Sequence, residues 1–140
     1  PTDVNFRASL LMDMRETNTL NLLQAVVTRA SKLATKSSIS KDVIDPLKFV
    51  DKSLFEKDCE NQMFNVLMEL KPLAINPDRV KYKLLAERLS SSAEILSNFF
   101  DGEGSVMVMT DNIKLRNNRL NLLSILRNQS FIIADFSKLS

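Results

Sequence analysis

Residues 111–135 read D-N-I-K-L-R-N-N-R-L-N-L-L-S-I-L-R-N-Q-S-F-I-I-A-D, and the fold of the chain turns on this stretch. Leucines and isoleucines recur at spacings of three and four, the signature of a helix with one apolar stripe. The pattern predicts a helix over Asn112–Asn128, capped by Thr110 or Asp111, then a short helical or turn segment over Phe131–Phe136. At about 100° per residue, Leu115, Leu122 and Leu126 define the buried centre, with Leu123 beside them. Lys114, Asn117, Asn121, Ser124 and Asn128 gather on the opposite, water-exposed face. Arg119 projects into the apolar stripe, where a charge has to be paired. An internal ion pair with Asp135 or Asp101 is the expected arrangement. Arg116 and Arg127 share a row with Leu120 and Leu123 at the border of the core, where stems can bury and guanidinium heads point outward.

Outward from that helix, the chain is all-helical in composition. Its 140 residues fit one domain, and 44% are hydrophobic, enough for a core without disulfides or metal. Only two glycines and four prolines interrupt it. Before the central stretch, the periods predict helices over Asp3–Arg15, Thr19–Lys36, Glu56–Leu70, Asp78–Leu89 and Ser92–Phe100. The last of these follows a capping-box pattern in Ser91-Ser92-Ala93-Glu94. The expected architecture is a single-domain helical bundle of about six helices. Ser37–Ser53 is the longest connection, kept from being one helix by Pro46 but carrying enough apolar residues to pack on the core. Val106–Met109 is too short for its period to be assigned. The chain starts at Pro1 rather than Met, and it is read as a fragment of something longer.

Absent residue types exclude function classes. There is no histidine and one cysteine, Cys59, so the common zinc sites and the Ser–His–Asp and Cys–His nucleophile systems cannot be built. The two glycines sit in D-G-E-G-S (101–105) with no Lys-Ser/Thr after them, so no phosphate-cradling loop exists. No catalytic and no metal-ligating residue is assigned. No run of apolar residues is long enough to span a membrane. Cys59 reads as a small hydrophobe of the core.

The net charge is only +2, but its distribution is uneven. No acidic residue lies between Glu16 and Asp42, and Arg29, Lys32 and Lys36 form one row at i, i+3, i+7. Two readings stay open for this row. It is a solvated face whose cations suit a helix C-terminus, or it contacts phosphates. Arg79, Lys81, Lys83 and Arg88 make Asp78–Leu89 basic as well. Tyr82, the one tyrosine, either stacks on a base or packs at the core rim.

The segments F-F-D (99–101), V-M-V-M-T-D (106–111), R-N-N-R-L-N-L-L-S-I-L-R (116–127) and A-D-F-S-K-L (134–139), taken in that order, resemble the C-terminus of the β subunit of bacterial-type glycyl-tRNA synthetase. Upstream, Thr28–Ala34 (T-R-A-S-K-L-A) is similar to that family's N-R-x-x-R-L-A element, and Val50–Glu56 (V-D-K-S-L-F-E) to its V-D-x-x-L-F-E element. Three departures stand out. The turn after Asp101 carries extra residues, Gly102–Ser105. Thr28 replaces the usual Asn. Lys32 replaces an Arg, keeping the charge but losing the planar fork.

The resemblance implies an all-α, DALR-type anticodon-binding domain spanning residues 1–140, the C-terminal part of a longer cytoplasmic β subunit. The implied partners are tRNA(Gly), the α subunit and the remainder of the β subunit, with no membrane involved. The parent enzyme is a ligase that charges tRNA with glycine using ATP and Mg, bound by the α subunit; this chain would hold no cofactor and make no bonds. RNA-contacting candidates are then Arg29, Lys32, Lys36, Tyr82, Arg116, Asn118 and Arg127, with Arg119 and Asp135 as a structural ion pair. The alternative is a helical protein–protein docking module, using the wide apolar surface of the helix at 112–128.

Overall fold

The computed structural model describes residues 18–137, and the side chains of residues 19–133. The helix expected over Asp3–Arg15 lies outside the described residues. Five α-helices and no strand are present among the described ones: α1 Asn18–Ala34, α2 Asp58–Ala74, α3 Arg79–Ser91, α4 Ala93–Ser97 and α5 Ile113–Ser137. Two 3-10 turns, Pro46–Lys48 and Lys52–Leu54, lie in the connector between α1 and α2.

Several boundaries have a local cause. Asp78 caps α3 by accepting from the Lys81 amide at 2.9 Å. Asn112 caps α5, accepting from the amides of Lys114 and Leu115 at 3.0 and 3.2 Å; neither Thr110 nor Asp111 does so. α3 and α4 separate at Ser92 as the sequence suggested, but the Ser92 side chain makes no cap bond. α2 continues past its expected end at Leu70 and contains Pro72 in its last turn. Buried Leu70 and Ala74 hold that turn on the core, outweighing the one ladder bond that proline cannot donate. The helix ends at Ala74, Ile75 turns extended, and Asn76 adopts the left-handed conformation (φ 45°) that asparagine tolerates better than most residues. Gly102, at φ 92°, makes the turn between α4 and α5 possible for the same steric reason.

The core is one cluster. Leu23, Val26 and Ala30 of α1 meet Met63, Leu67 and Leu70 of α2, Leu85 and Leu89 of α3, and Leu96 and Phe99 around α4. α5 runs through the middle, packed against α1, α2 and α3. It is longer than expected, because Asn112–Asn128 and Phe131–Phe136 join into one helix. It is also buried on every side from Leu122 to Ser130. The expected two-faced helix is therefore corrected: Lys114 and Asn117 are exposed and Asn121 half-buried, but Ser124 and Asn128 lie inside. Leu115 is only half-buried rather than central.

The cause is the connector, residues 37–57, which folds over the polar face of α5. A connector with little regular structure leaves its backbone groups needing partners when it is covered. α5 supplies them from side-chain amides. Asn118 accepts from the Asp51 amide at 2.7 Å and donates to the Asp51 carbonyl at 2.9 Å. Asn121 donates to the Phe49 carbonyl at 2.9 Å. Asn128 donates to the carbonyls of Ser40 and Val43 at 2.9 and 2.7 Å. Gln129 bridges the carbonyls of Ile44 in the connector and Leu67 in α2. The asparagine-rich face is a clamp for the connector.

Candidate nucleic-acid interface

Arg119 is 4% exposed and sits among carboxylates. Its guanidinium donates to Glu56 at 2.8 Å, to the Met107 carbonyl at 2.8 Å and, more distantly, to Glu60 at 3.5 Å. Glu60 is fully buried, and its other oxygen accepts from the amides of Glu56 and Lys57, closing the start of α2. The expectation that Arg119 is a buried, paired structural residue matches this geometry, but its partners are Glu56 and Glu60. Asp101 is not one of them, since it pairs with Arg29 at 3.2 Å. The Asp135 side chain lies outside the described residues.

Asn118 and Arg127 are corrected as surface contacts. Asn118 is 4% exposed, with both amide atoms taken by the Asp51 backbone. Arg127 is 6% exposed, its head group inside rather than outward. Its Nε donates to the Asn128 side chain at 3.1 Å, and no carboxylate pairs with it among the described residues. Loss of water around the guanidinium lowers its pKa from the ordinary value. The period assigns Arg127 to a row beside Leu123, at the border of the core. At Arg127 the helix is buried on every side, while Arg116 in the same row stays half-buried.

Arg29 and Lys32 of α1 are exposed, as is Lys36, which lies in the turn just after the helix because α1 ends at Ala34 rather than at Lys36. Arg29 is engaged with Asp101 and lies 4.7 Å from the centre of the Phe100 ring. Lys32 and Lys36 make no ion pair among the described residues. Arg116 is half-buried near the start of α5. Tyr82 is half-buried on α3 and has an interaction partner. Cys59 is buried, and burial together with the neighbouring Glu60 charge pushes its thiol pKa up, the opposite of what a nucleophile needs.

Just beyond α1, the row ends at a groove. Ser37, next to Lys36, donates through its hydroxyl to Asn121 at 3.1 Å, and Asn121 in turn holds the Phe49 carbonyl. The groove there is lined by Lys48, Phe49 and Lys52 from the connector and by Lys114, Asn117 and Asn121 from α5. Sequence reasoning missed it. Phe49 read as core, and Lys114 and Asn117 as plain solvated surface; only the clamped connector brings them together. Among the described residues no group of three or more carboxylates or thiols is arranged to hold a metal ion, and no described helix is long and apolar enough to cross a membrane.

The chain is similar to beta subunits of glycine–tRNA ligase. It is 40% identical to that of Gloeothece citriformis over 96% of this chain. Identity is 36% to that of Trichodesmium erythraeum over 98% of the chain, and 38% to that of Acaryochloris marina over 93%. The match spans 19% of the length of the first two relatives and 18% of the third, so the chain corresponds to about a fifth of such a subunit. No family model and no solved structure matches it.

Proposed function

We propose that this chain is an RNA-holding domain of a glycine–tRNA ligase beta subunit. It binds the anticodon region of tRNA(Gly) in a DALR-type helical fold, while ATP-dependent glycyl transfer takes place on the alpha subunit in the cytoplasm. The observation that carries the reading is the similarity to beta subunits of that ligase along 96% of the chain. The charge pattern supports it: Lys32 and Lys36 lie exposed and unpaired by any described carboxylate. Arg29 beside them keeps a half-exposed side chain (55%). Exposed cations in a row suit a phosphate backbone.

The alternative docking reading needed a free apolar surface on the long helix. That surface, Leu120 to Leu126, is already spent on the domain's own core, so the RNA reading is preferred.

Footprinting tests it. Bound to tRNA(Gly), the chain should protect the anticodon arm and leave the acceptor stem open. Protection centred on the acceptor stem, or none, would overturn the proposal. Binding should also weaken steeply with salt, and Lys32→Glu with Lys36→Glu should weaken it further.

A further inference from the structure

We infer that the groove between the connector and α5 takes unpaired nucleotides of an RNA strand, with one base stacked on Phe49 and flanking phosphates held by Lys48, Lys52 and Lys114. The inference rests on the RNA-holding reading above and assigns it a place on the surface.

The groove has a volume of about 650 Å³. Phe49 lines it while remaining 42% exposed, and its neighbour Leu47 is 57% exposed. A half-exposed ring is unremarkable alone, but the backbone that carries this one is held on both sides. The Phe49 amide donates to the Pro46 carbonyl at 3.3 Å, its carbonyl accepts from Asn121 at 2.9 Å, and Val50 beside it is buried. A ring whose backbone is fixed on both sides loses little further freedom when a base stacks on it.

The charge around the ring is mainly positive. Lys48 and Lys52 stand one residue before and three residues after Phe49, and Lys114 faces them from the first turn of α5. None of the three forms an ion pair among the described residues. Lys52 is positioned by the Phe64 ring, 5.2 Å from its centre. One carboxylate, Asp51, also lines the groove, but one of its oxygens already accepts from the amide and hydroxyl of Ser53. Asn117 is exposed at the same rim, and its side-chain amide can both donate to and accept from a base edge.

Cations interleaved with an exposed aromatic suit a single strand, whose bases are free to leave their stack. A duplex presents no free base face to Phe49. A protein partner would need an acidic surface and would use Phe49 only as a hydrophobe, so leucine would serve it equally well. That difference makes the two occupants separable.

The test is binding of fluorescently labelled tRNA(Gly) anticodon stem-loop RNA to the 140-residue chain, read by anisotropy over a salt series. Phe49→Leu should weaken binding about tenfold and Phe49→Trp should restore it, as a stacking contact requires. Lys48→Gln, Lys52→Gln and Lys114→Gln should each lower the magnitude of the salt slope by about one. Lys114→Gln, on an exposed helix face, tests the groove without touching the connector.

If the wild-type chain binds the RNA and these variants bind as tightly and with the same slope, the groove assignment fails and the RNA reading survives. If the wild type does not bind, both fail. Displacement of the RNA by a polyglutamate peptide as effectively as by unlabelled RNA would also overturn the assignment, in favour of an acidic protein partner.

Discussion

At the scale of single residues, three arginines of one helix have three different environments. Arg119 is buried between Glu56 and Glu60. Replacing one member of a buried pair strands the other charge, at about 3–5 kcal/mol. Arg119→Met should therefore destabilise the fold by that amount in denaturant titration. Glu56→Gln should cost less than about 1 kcal/mol, because Glu56 is 59% exposed and water still solvates it. Equal costs for the two would mean that Glu60 does not depend on Arg119. Arg127 is buried beside Asn128 with no described carboxylate. Arg127→Ala should register as lost stability, so it cannot serve as a clean probe of RNA contact. Arg116, half-buried at the helix start, remains available for that purpose.

At the scale of elements, the connector and α5 form one unit. Asn121 and Asn128, which the period assigns to water, here bind the backbone of residues 40–51 together with Asn118 and Gln129. Asn128→Leu removes two of those bonds, leaves the Val43 carbonyl without its side-chain donor, and takes from the buried Arg127 its partner, while the Ser40 carbonyl keeps the Val43 amide. The expected cost is about 1–3 kcal/mol. Amide hydrogen exchange should accelerate across residues 40–51 while the centre of α5 stays protected. Acceleration spread evenly over the whole chain would show that the connector has no independent hold. Loosening it should also weaken RNA binding at the groove, since Lys48, Phe49 and Lys52 are carried on it.

At the scale of the whole molecule, acid should act through the connector. Asp42, Asp45 and Asp51 all have carboxyl pKa values below the usual 3.8. The Ser40 hydroxyl lowers Asp42, and the Ser53 hydroxyl and amide lower Asp51. At Asp45 burial pushes upward, but the Leu47 amide and Lys71, 3.1 Å away, outweigh it. A carboxyl depressed in the folded state contributes stability above its unfolded pKa of about 3.9 and loses it as pH falls through the folded value. Melting temperature should thus stay level from about pH 7 to 5 and drop below about pH 4. Asp45→Asn should flatten that drop. An unchanged acid limb in the variant would remove Asp45 from the account.

The sequence by itself determined the helical class, the helices at Asn18–Ala34, Asp58–Ala74 and Arg79–Ser91 to within a few residues, the exclusion of histidine chemistry and the burial of Arg119. These follow from local periods, breakers and residue inventory, which need no knowledge of neighbours. The order of motifs also carried the resemblance to the beta subunit. Only the tertiary structure decided that Asn118, Asn128 and Arg127 face inward, and that Lys48, Phe49, Lys52 and Lys114 line one groove. A period says which residues share a helix face; it does not say what lies against that face. Here a connector without an α-helix of its own covers the polar side of α5 from Asn118 onward, held by hydrogen bonds between residues 67 to 88 positions apart in the chain, and so turns much of an apparent solvent face into the interior.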